Sequence, residues 1–329
     1  MARRLADFTT LRLGGPVDRL VEAHTEAELI AAVRDGAYVL AGGSNVVIAD
    51  EGLRGTVVLV RTRGVTRDGE LLVVEAGEDW DPLVARCVAD GLQGFECLSG
   101  IPGSAGATPI QNVGAYGQEV AETVAWVRVY DREAGAVRVM DAAECGFSYR
   151  HSVFKHRDRW VVLAVAYRMN ESPESGPIRY AELARALDVP VGGRAPLADV
   201  REAVLALRRG KGMVIDPADP DSVSAGSFFT NPILEPAAFA ALPPGAPAFP
   251  EPDGRIKTSA AWLIEHAGFG RGHGAGNVGI SSKHTLALVN RGGATTAELL
   301  GLARRIAGGV AERFGVWLQP EPVLVGTSW

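Results

Sequence analysis

The stretch that most constrains how this chain can fold is residues 99–117, SGIPGSAGATPIQNVGAYG, which carries five glycines and two prolines. Neither a helical nor a strand period runs through it, so its composition predicts a long loop. A long loop inside a compact domain is usually functional. Because glycine loses more conformational freedom on folding than other residues, this density of glycines favours close approach of the backbone to a ligand over a plain connection.

A second, shorter glycine turn lies at residues 42–45, Gly42-Gly43-Ser44-Asn45. The extended run 37–40 precedes it and the apolar run 46–48 follows it, so the pattern predicts a turn between two strands. Both glycine loops present backbone N–H groups without side-chain obstruction, which suits a diphosphate. Taken alone, each loop is also compatible with a plain turn, and that alternative stays open at this point.

The segments around these loops mix helix and strand signals, which favours the α+β class. Thr25 with Glu28 and Thr295 with Glu298 have the capping-box spacing, and they predict helices over about 26–35 and 295–314. Gly315 is placed to end the second of these helices. Apolar periodicity and glycine stops predict further helices at about 80–90, from about 180, 197–209 and 258–267. Strands are predicted at about 56–60, 71–76, 123–130, 160–169 and 285–290.

Length and charge narrow the class of protein. At 329 residues the chain exceeds what one hydrophobic core usually supports, so more than one domain is expected. The net charge of −6, with no basic tract beyond Arg3 and Arg4, argues against nucleic acid as a partner. No continuous apolar stretch follows those arginines, so neither a secretory signal nor a membrane span is expected. We therefore expect a cytoplasmic protein. Nothing in the sequence implies an oligomer.

Cysteine and histidine spacing argues against metal and disulfide chemistry. Three cysteines are an odd number without CxxC spacing, so we expect buried thiols at Cys87, Cys97 and Cys145. The histidines show no metal-ligand spacing, and no metal is predicted.

Three common nucleotide or hydrolase motifs are not supported. Residues 274–279 match G-x-G-x-x-G, but no strand signal precedes them and no helix signal follows, as a dinucleotide fingerprint requires. Lys211 follows a glycine but precedes another one, so there is no Walker A sequence. No G-x-S-x-G elbow surrounds Ser44, Ser104 or Ser227.

Considered together, several motifs have a recognisable order. They are AGGSNVVIAD at 41–50, SGIPGSAGATPIQNVGAYG at 99–117, YRHSVFK at 149–155, AGSFFTNP at 225–232 and WLQPEPVLVG at 317–326. In this order they resemble the UDP-N-acetylenolpyruvoylglucosamine reductases of bacterial wall synthesis. The resemblance spans nearly the whole chain, and five ordered motifs make it highly specific.

The resemblance implies an α+β fold with a two-part FAD-binding domain of the vanillyl-alcohol-oxidase type. That domain is expected over residues 1–192, in subdomains of about 1–62 and 63–192. A C-terminal α+β substrate domain is expected over 193–315, followed by a strand over 316–329 that returns to the active site. The expected cofactor is FAD, held non-covalently, with NADPH as co-substrate and a UDP-sugar as substrate.

The reaction implied is the reduction of UDP-N-acetylglucosamine enolpyruvate to UDP-N-acetylmuramate in peptidoglycan synthesis. Hydride from flavin N5 would reach the terminal enol-ether carbon, and charge would develop at the next carbon beside the carboxylate. The resemblance assigns FAD contacts to the two glycine loops, at Gly42, Gly43, Ser44, Asn45, Gly103, Ser104, Gly106, Gln111, Asn112 and Gly114.

The family's catalytic residues fall on Arg150, Ser227 and Glu321. A planar guanidinium suits a carboxylate, so Arg150 is expected to meet the developing charge. A serine hydroxyl in a dry pocket can donate a proton, which is the role expected of Ser227. Glu321 is expected to polarise the carboxylate, although the proline at 322, where another residue is more usual, implies a different local backbone.

Four more residues resemble substrate-binding positions of the family. Tyr180 matches the substrate-clamping tyrosine of the subgroup with a mobile loop, and Lys211 and Asn231 match positions on the sugar nucleotide. His284 resembles a substrate-side position, but a histidine entering a strand is as often structural, and both readings stay open.

Two competing functions remain at this stage. An alcohol or aldonolactone oxidase of the same flavin superfamily would share the glycine loops but lack the 225–232 and 317–326 motifs. A non-catalytic flavin or nucleotide-sugar sensor would not need Arg150, Ser227 and Glu321 together.

Overall fold

The computed structural model describes residues 3–329, which form two compact units. The N-terminal unit comprises residues 17–43 and 54–210, and the C-terminal unit comprises residues 3–16, 44–53 and 211–329. The helices are α1 Glu26–Arg34, α2 Trp80–Ala89, α3 Ala181–Ala186, α4 Leu197–Gly210, α5 Pro236–Ala240, α6 Ala260–His266 and α7 Thr296–Phe314. Short 3₁₀ turns lie at Leu5–Phe8, Glu96–Leu98, Ala105–Ala107, Val120–Glu122 and Pro220–Ser222.

The strands are mostly short. The first ten are β1 Val17–Ala23, β2 Tyr38–Leu40, β3 Val46–Ile48, β4 Leu53–Val60, β5 Val65–Asp68, β6 Leu71–Glu75, β7 Leu92–Gln93, β8 Gly114–Ala115, β9 Gln118–Glu119 and β10 Val124–Asp131. The others are β11 Ala136–Asp141, β12 Trp160–Arg168, β13 Asn170–Glu171, β14 Ser224–Ser227, β15 Ile233–Leu234, β16 Phe249–Pro250, β17 Ile256–Lys257, β18 Val278–Ile280, β19 Ala287–Asn290 and β20 Val323–Val325.

The N-terminal unit is built on a sheet with the strand order β11-β10-β12-β6-β5 and a smaller sheet with the order β1-β4-β2. Strand β12 is buried from Val161 to Tyr167, as its unbroken apolar run predicts for a strand covered on both faces. Trp80 of α2 packs with its ring centroid 4.8 Å from that of Phe95 and 5.9 Å from that of Tyr167. This aromatic cluster fixes the start of α2 on the sheet.

Helix α4 belongs to the N-terminal unit, because Val200 and Val204 are buried in one cluster with Cys97, Ile178 and Leu183. The packing therefore places the unit boundary at 210/211, whereas the sequence placed a domain boundary at 192/193. The predicted domains were defined by the ligand that each one binds, and that assignment of ligands remains a prediction.

The C-terminal unit is discontinuous, because three chain segments share one core. Strand β3 pairs in parallel with β20, and the Asp50 carboxylate accepts hydrogen bonds from the first N–H groups of α7, at 2.7 Å from Thr296 N. The Thr10 hydroxyl donates to the carbonyl of Ser224 at 2.7 Å. Residues 3–16 and 44–53, predicted as part of the FAD-binding domain, therefore pack with 211–329.

Most predicted elements are confirmed within a few residues. Both capping boxes form, and Gly315 ends α7 in the left-handed conformation with φ +68°. The G-x-G-x-x-G segment at 274–279 runs into β18, and β18 pairs with β19, so no helix follows the motif. The three cysteines are buried and free. Strands β1, β5, β11 and β14 and the two-residue strands lie where the sequence analysis had predicted none.

Across residues 3–329, none of the helices is both long enough and apolar enough to span a bilayer.

Candidate active site

The long glycine loop is tied by its backbone to the start of α2. Trp80 N donates to Gly103 O at 3.0 Å, and the Asp81 carboxylate accepts a hydrogen bond from Gly100 N at 2.6 Å. The same carboxylate forms a bidentate pair with Arg201 of α4, at 2.7 and 3.1 Å. Burial alone would raise the pKa of Asp81, but the hydrogen bonds from Arg201 and Gly100 outweigh burial and hold it below its usual range.

Within the N-terminal unit the two glycine loops meet backbone to backbone. A Cβ on Gly42 would lie 2.5 Å from the Cα of Gly103, and a Cβ on Gly106 would lie 2.4 Å from the Cβ of Ala76. Gly103 also has φ +116°, which side chains disfavour. Only glycine fits at 42 and 106, and the positive φ favours glycine at 103, so residues 42–43 and 103–106 form a close-packed cradle. That its N–H groups face a ligand stays a prediction.

Ser104 provides an independent sign that this cradle holds a polar group. Its side chain is 5% exposed, and its hydroxyl has no hydrogen-bond partner among residues 3–329. A buried hydroxyl without a partner is costly, so such atoms mark places where a ligand or water completes the structure. A hydroxyl donor beside glycine backbone suits a polar part of FAD, so these residues fit the group.

Asn112 is engaged within the protein. Its amide nitrogen donates to the Glu119 carboxylate at 2.7 Å and to Ser148 O at 3.1 Å, and its amide oxygen accepts from Ala121 N at 3.1 Å. The side chain therefore clamps the end of the glycine loop to the 148–151 turn. Its predicted contact with FAD, like that of half-buried Gln111, stays a prediction.

Arg150 lies beside the end of the same loop. Its guanidinium donates from Nη2 to Gly114 O at 2.7 Å and lies 4.0 Å from the Glu119 carboxylate. The Arg150 backbone has φ +52°, and a Cβ on Gly114 would lie 3.1 Å from Nη1 of Arg150. The guanidinium is thus held beside the end of the glycine loop, while the roles predicted for Arg150 and Gly114 stay predictions.

Tyr180 precedes the first residue of α3 and is 45% exposed. Its ring packs edge-on against Tyr116, with the centroids 5.5 Å apart. Burial raises the pKa of Tyr116 to about 12, so its phenol is neutral at physiological pH. Burial also lowers the pKa of Arg208, and the electrostatic effects of Tyr116 and Asp81 oppose this shift. Tyr180 thus packs on a tyrosine of the glycine loop itself.

In the C-terminal unit, Ser227 ends β14, where the pairing with β19 has a register shift. Such bulges re-aim side chains and are common beside active sites. Glu321 N donates to Phe228 O at 2.8 Å, and Thr230 N donates to Gln319 O at 3.1 Å. The motifs 225–232 and 317–326 therefore lie side by side, which brings Glu321 next to the Ser227 segment.

The remaining predicted residues have varied surroundings. The Asn231 amide oxygen accepts from Ala260 N at 3.0 Å and so caps α6, together with Ser259. Lys211 directly follows α4, and His284 lies in the turn before β19, where its backbone N–H donates to Ser281 Oγ at 3.2 Å. Ser44 and Asn45 belong to the C-terminal unit, where Asn45 O accepts from Val323 N at 2.9 Å.

Sequence reasoning missed several residues that hold the site. Lys155 closes the YRHSVFK motif, which was the one available signal, and its ammonium donates to Arg150 O at 3.0 Å. Asp81 and Arg208 lie outside the quoted motifs, and only tertiary packing brings them to the loop. Glu119 lies two residues beyond the loop, and no role was assigned to it. No group of three or more potential ligands for a metal occurs among residues 3–329.

Two family models match the chain. Residues 17–141 match an FAD binding domain, and residues 217–325 match the C-terminal domain of UDP-N-acetylenolpyruvoylglucosamine reductase. The second match includes the 225–232 motif and residues 317–325 of the last motif, both of which an oxidase of the superfamily would lack.

Curated relatives named UDP-N-acetylenolpyruvoylglucosamine reductase match over almost the full length. The protein of Thermobifida fusca is 58% identical, with 98% of this chain and 97% of the relative covered. Those of Salinispora arenicola and Streptomyces coelicolor are 58% and 56% identical, each over 98% of this chain and over 95% and 89% of the relative. The solved UDP-N-acetylenolpyruvylglucosamine reductase of Thermus caldophilus has a TM-score of 0.70 at 27% identity, and the match covers 99% of this chain and 98% of that structure.

Proposed function

Because the chain belongs to the UDP-N-acetylenolpyruvoylglucosamine reductase family, we propose that Arg150, Ser227 and Glu321 carry the reduction of UDP-N-acetylglucosamine enolpyruvate to UDP-N-acetylmuramate. The chain is an FAD-dependent oxidoreductase of peptidoglycan synthesis, as predicted from its motifs. Within the proposal, NADPH is the reductant and the cytoplasm is the compartment. The observation that carries the proposal is the alignment of the Ser227 segment with the Glu321 segment through the 2.8 Å bond from Glu321 N to Phe228 O.

The two glycine loops supply the groups that we assign to FAD. We assign the backbone N–H groups at Gly42, Gly43 and Gly103 and the hydroxyl of Ser104 to FAD, since the cradle is shaped for close approach. When bound, FAD supplies the hydride to the terminal carbon of the enol ether. The predicted ligand domains, with FAD over 1–192, substrate over 193–315 and a returning strand over 316–329, belong to this proposal.

Arg150 binds and polarises the substrate carboxylate in this proposal. Negative charge that develops at the carbon next to the carboxylate is delocalised into it, and a fixed guanidinium stabilises that charge. The hydrogen bond from Arg150 to Gly114 O supports this role, because it sets the guanidinium before the substrate arrives. A preorganised cation of this kind is worth about 3–4 kcal/mol of transition-state stabilisation.

Ser227 donates the proton that completes the reduction. The hydride and this proton together convert the enol-ether double bond into the lactyl ether, and the serine alkoxide is reprotonated from solvent. Glu321 assists by hydrogen bonding to the substrate carboxylate, either as a neutral acid or through a water. The UDP-sugar is bound in this proposal by Tyr180, Lys211, Asn231 and His284. The side-chain oxygen of Asn231 caps α6, so its side-chain nitrogen is the group assigned to the sugar nucleotide.

A single anaerobic experiment tests the reaction. NADPH is added to the yellow holoprotein, and the enolpyruvyl UDP-sugar is then added while flavin absorbance is followed. A reductase loses its colour with NADPH and regains it with the UDP-sugar in the absence of oxygen. Recovery of colour only with oxygen would favour an oxidase, and no bleaching at all would favour a sensor.

A further inference from the structure

The residue expected to meet the substrate carboxylate has an unfavourable backbone conformation. Ser148 and His151 exchange two backbone hydrogen bonds of 3.1 Å each, so residues 148–151 form a tight turn. Arg150 occupies its third position with φ +52°. That position in such turns favours glycine or asparagine, because a side chain is strained there. The turn sequence therefore does not by itself hold Arg150 in this conformation.

Lys155 provides a restraint from outside the turn. Its ammonium donates to the main-chain carbonyl of Arg150 at 3.0 Å, and its side chain is 9% exposed. The Ser152 hydroxyl between them donates to Ile110 O at 2.6 Å, which staples the segment to the glycine loop. A buried cation bonded to this carbonyl restricts rotation of that peptide group.

The position of the Arg150 Cα determines which groups the guanidinium can reach. Nη2 of Arg150 reaches Gly114 O at 2.7 Å, and the ring of Tyr149 lies 5.2 Å from the guanidinium carbon. Without the bond from Lys155, the Arg150 carbonyl could shift and ψ of Arg150 could change, and the resulting displacement of the Arg150 Cα would disturb this alignment. A misplacement of about 1 Å in a catalytic group costs about 100-fold in rate.

We propose that Lys155 is a positioning residue, which holds the left-handed backbone of Arg150 so that the guanidinium meets the substrate carboxylate. This proposal rests on the role of Arg150 in the proposed function. It involves no contact between Lys155 and the substrate, and it adds no step to the reaction.

The test compares the two half-reactions in holoenzyme variants. Lys155→Met keeps the aliphatic stem and removes the ammonium. We expect oxidation of reduced enzyme by the UDP-sugar to slow about 10- to 100-fold, since Arg150 is misplaced. Reduction by NADPH should stay within about twofold of the wild-type rate, and FAD content should be unchanged. Lys155→Arg, which retains a donor, should recover part of the loss.

A double-mutant cycle separates positioning from other roles. In an Arg150→Ala background, Lys155→Met should cause no further slowing, because there is no guanidinium left to position. Arg86→Met is the matched surface control, since the exposed Arg86 side chain pairs with Asp90 at 3.7 Å, and it should leave both half-reactions unchanged.

Each other outcome overturns the proposal in a recognisable way. If Lys155→Met is oxidised by the UDP-sugar at the wild-type rate while Arg150→Ala is impaired, the positioning role of Lys155 is refuted and the role of Arg150 is not. Equal slowing by Lys155→Met in both backgrounds assigns Lys155 a direct contact with the substrate, and a parallel loss of both half-reactions with FAD assigns it to folding. An unimpaired Arg150→Ala refutes the proposed role of Arg150 itself. If Lys155→Met yields no folded holoenzyme, Lys155→Gln, which keeps a neutral donor, carries the same comparison.

Discussion

The contact between the two glycine loops predicts a large effect from adding one methyl group. In Gly42→Ala the new Cβ would lie 2.5 Å from the Cα of Gly103 and 3.0 Å from its carbonyl carbon, whereas ordinary contacts begin at 3.4 Å. The loops must separate by about 0.9 Å, and overpacking of this kind costs about 1–3 kcal/mol. Gly42 has an ordinary negative φ, so the cost comes from space and not from the backbone conformation.

The same displacement should weaken FAD binding, because it moves the N–H groups that we assign to the diphosphate. A loss of about 1.4 kcal/mol is tenfold in affinity, so the Kd for FAD should rise about 10- to 100-fold. Quenching of flavin fluorescence in titrations of the apoprotein measures this Kd, and urea unfolding measures the free energy of unfolding. The unfolding free energy of the apoprotein should fall by about 1–3 kcal/mol.

Gly308→Ala in α7 is the matched control. No atom lies within 4 Å of a Cβ built there, and its φ is ordinary, so alanine should stabilise the helix by about 0.5–1 kcal/mol. Wild-type stability and FAD affinity in Gly42→Ala would refute the close packing of the loops. Lower stability with unchanged FAD affinity would instead refute the assignment of Gly42 to the cofactor.

Three further predictions concern separate parts of the site. Ser227→Ala should slow oxidation of the reduced enzyme by the UDP-sugar by about 10²–10⁴-fold and leave reduction by NADPH unchanged, as stopped-flow absorbance can show; an equal loss in both would assign Ser227 to packing. Tyr180→Phe should raise the Kd for the UDP-sugar about 3- to 10-fold through loss of a hydroxyl hydrogen bond, and calorimetry that finds no change would count against the clamp. The depressed pKa of Asp81 in the folded state means that its carboxylate stabilises the fold above the unfolded pKa of about 3.9, and that this contribution is lost as the pH falls through the lower folded pKa. Asp81→Asn should therefore lower the free energy of unfolding by about 1–3 kcal/mol at pH 7, and urea melts should show this difference shrinking toward pH 3; a difference independent of pH would contradict the assignment.

The local elements could be predicted well because their signals are short-range. A capping box such as Thr25 with Glu28 satisfies helix N–H groups within one turn, so three residues of spacing are enough to place the start of α1. The buried strand β12 could be predicted from its own run of apolar residues. The glycine loop at 99–117 was recognisable for a similar reason, since backbone freedom is a property of each residue.

The candidate site was predicted through ordered motifs, and the structure adds how the residues are held. The sequence placed Arg150, Ser227 and Glu321 in motifs, but it carried no sign that Lys155 restrains Arg150 or that Asp81 fixes the glycine loop. These bonds link segments through side chains whose partners depend on packing.

The division into units shows the same limit most clearly. The helices, most of the longer strands, the glycine loops and the family motifs could be read from the sequence, because each depends on neighbouring residues. The packing of the chain was needed to show that 3–16 and 44–53 share a core with 211–329, and that α4 packs with the N-terminal unit. The pairing of β3 with β20 and the cap that Asp50 makes on α7 join residues far apart in the chain, and no local periodicity encodes such partners.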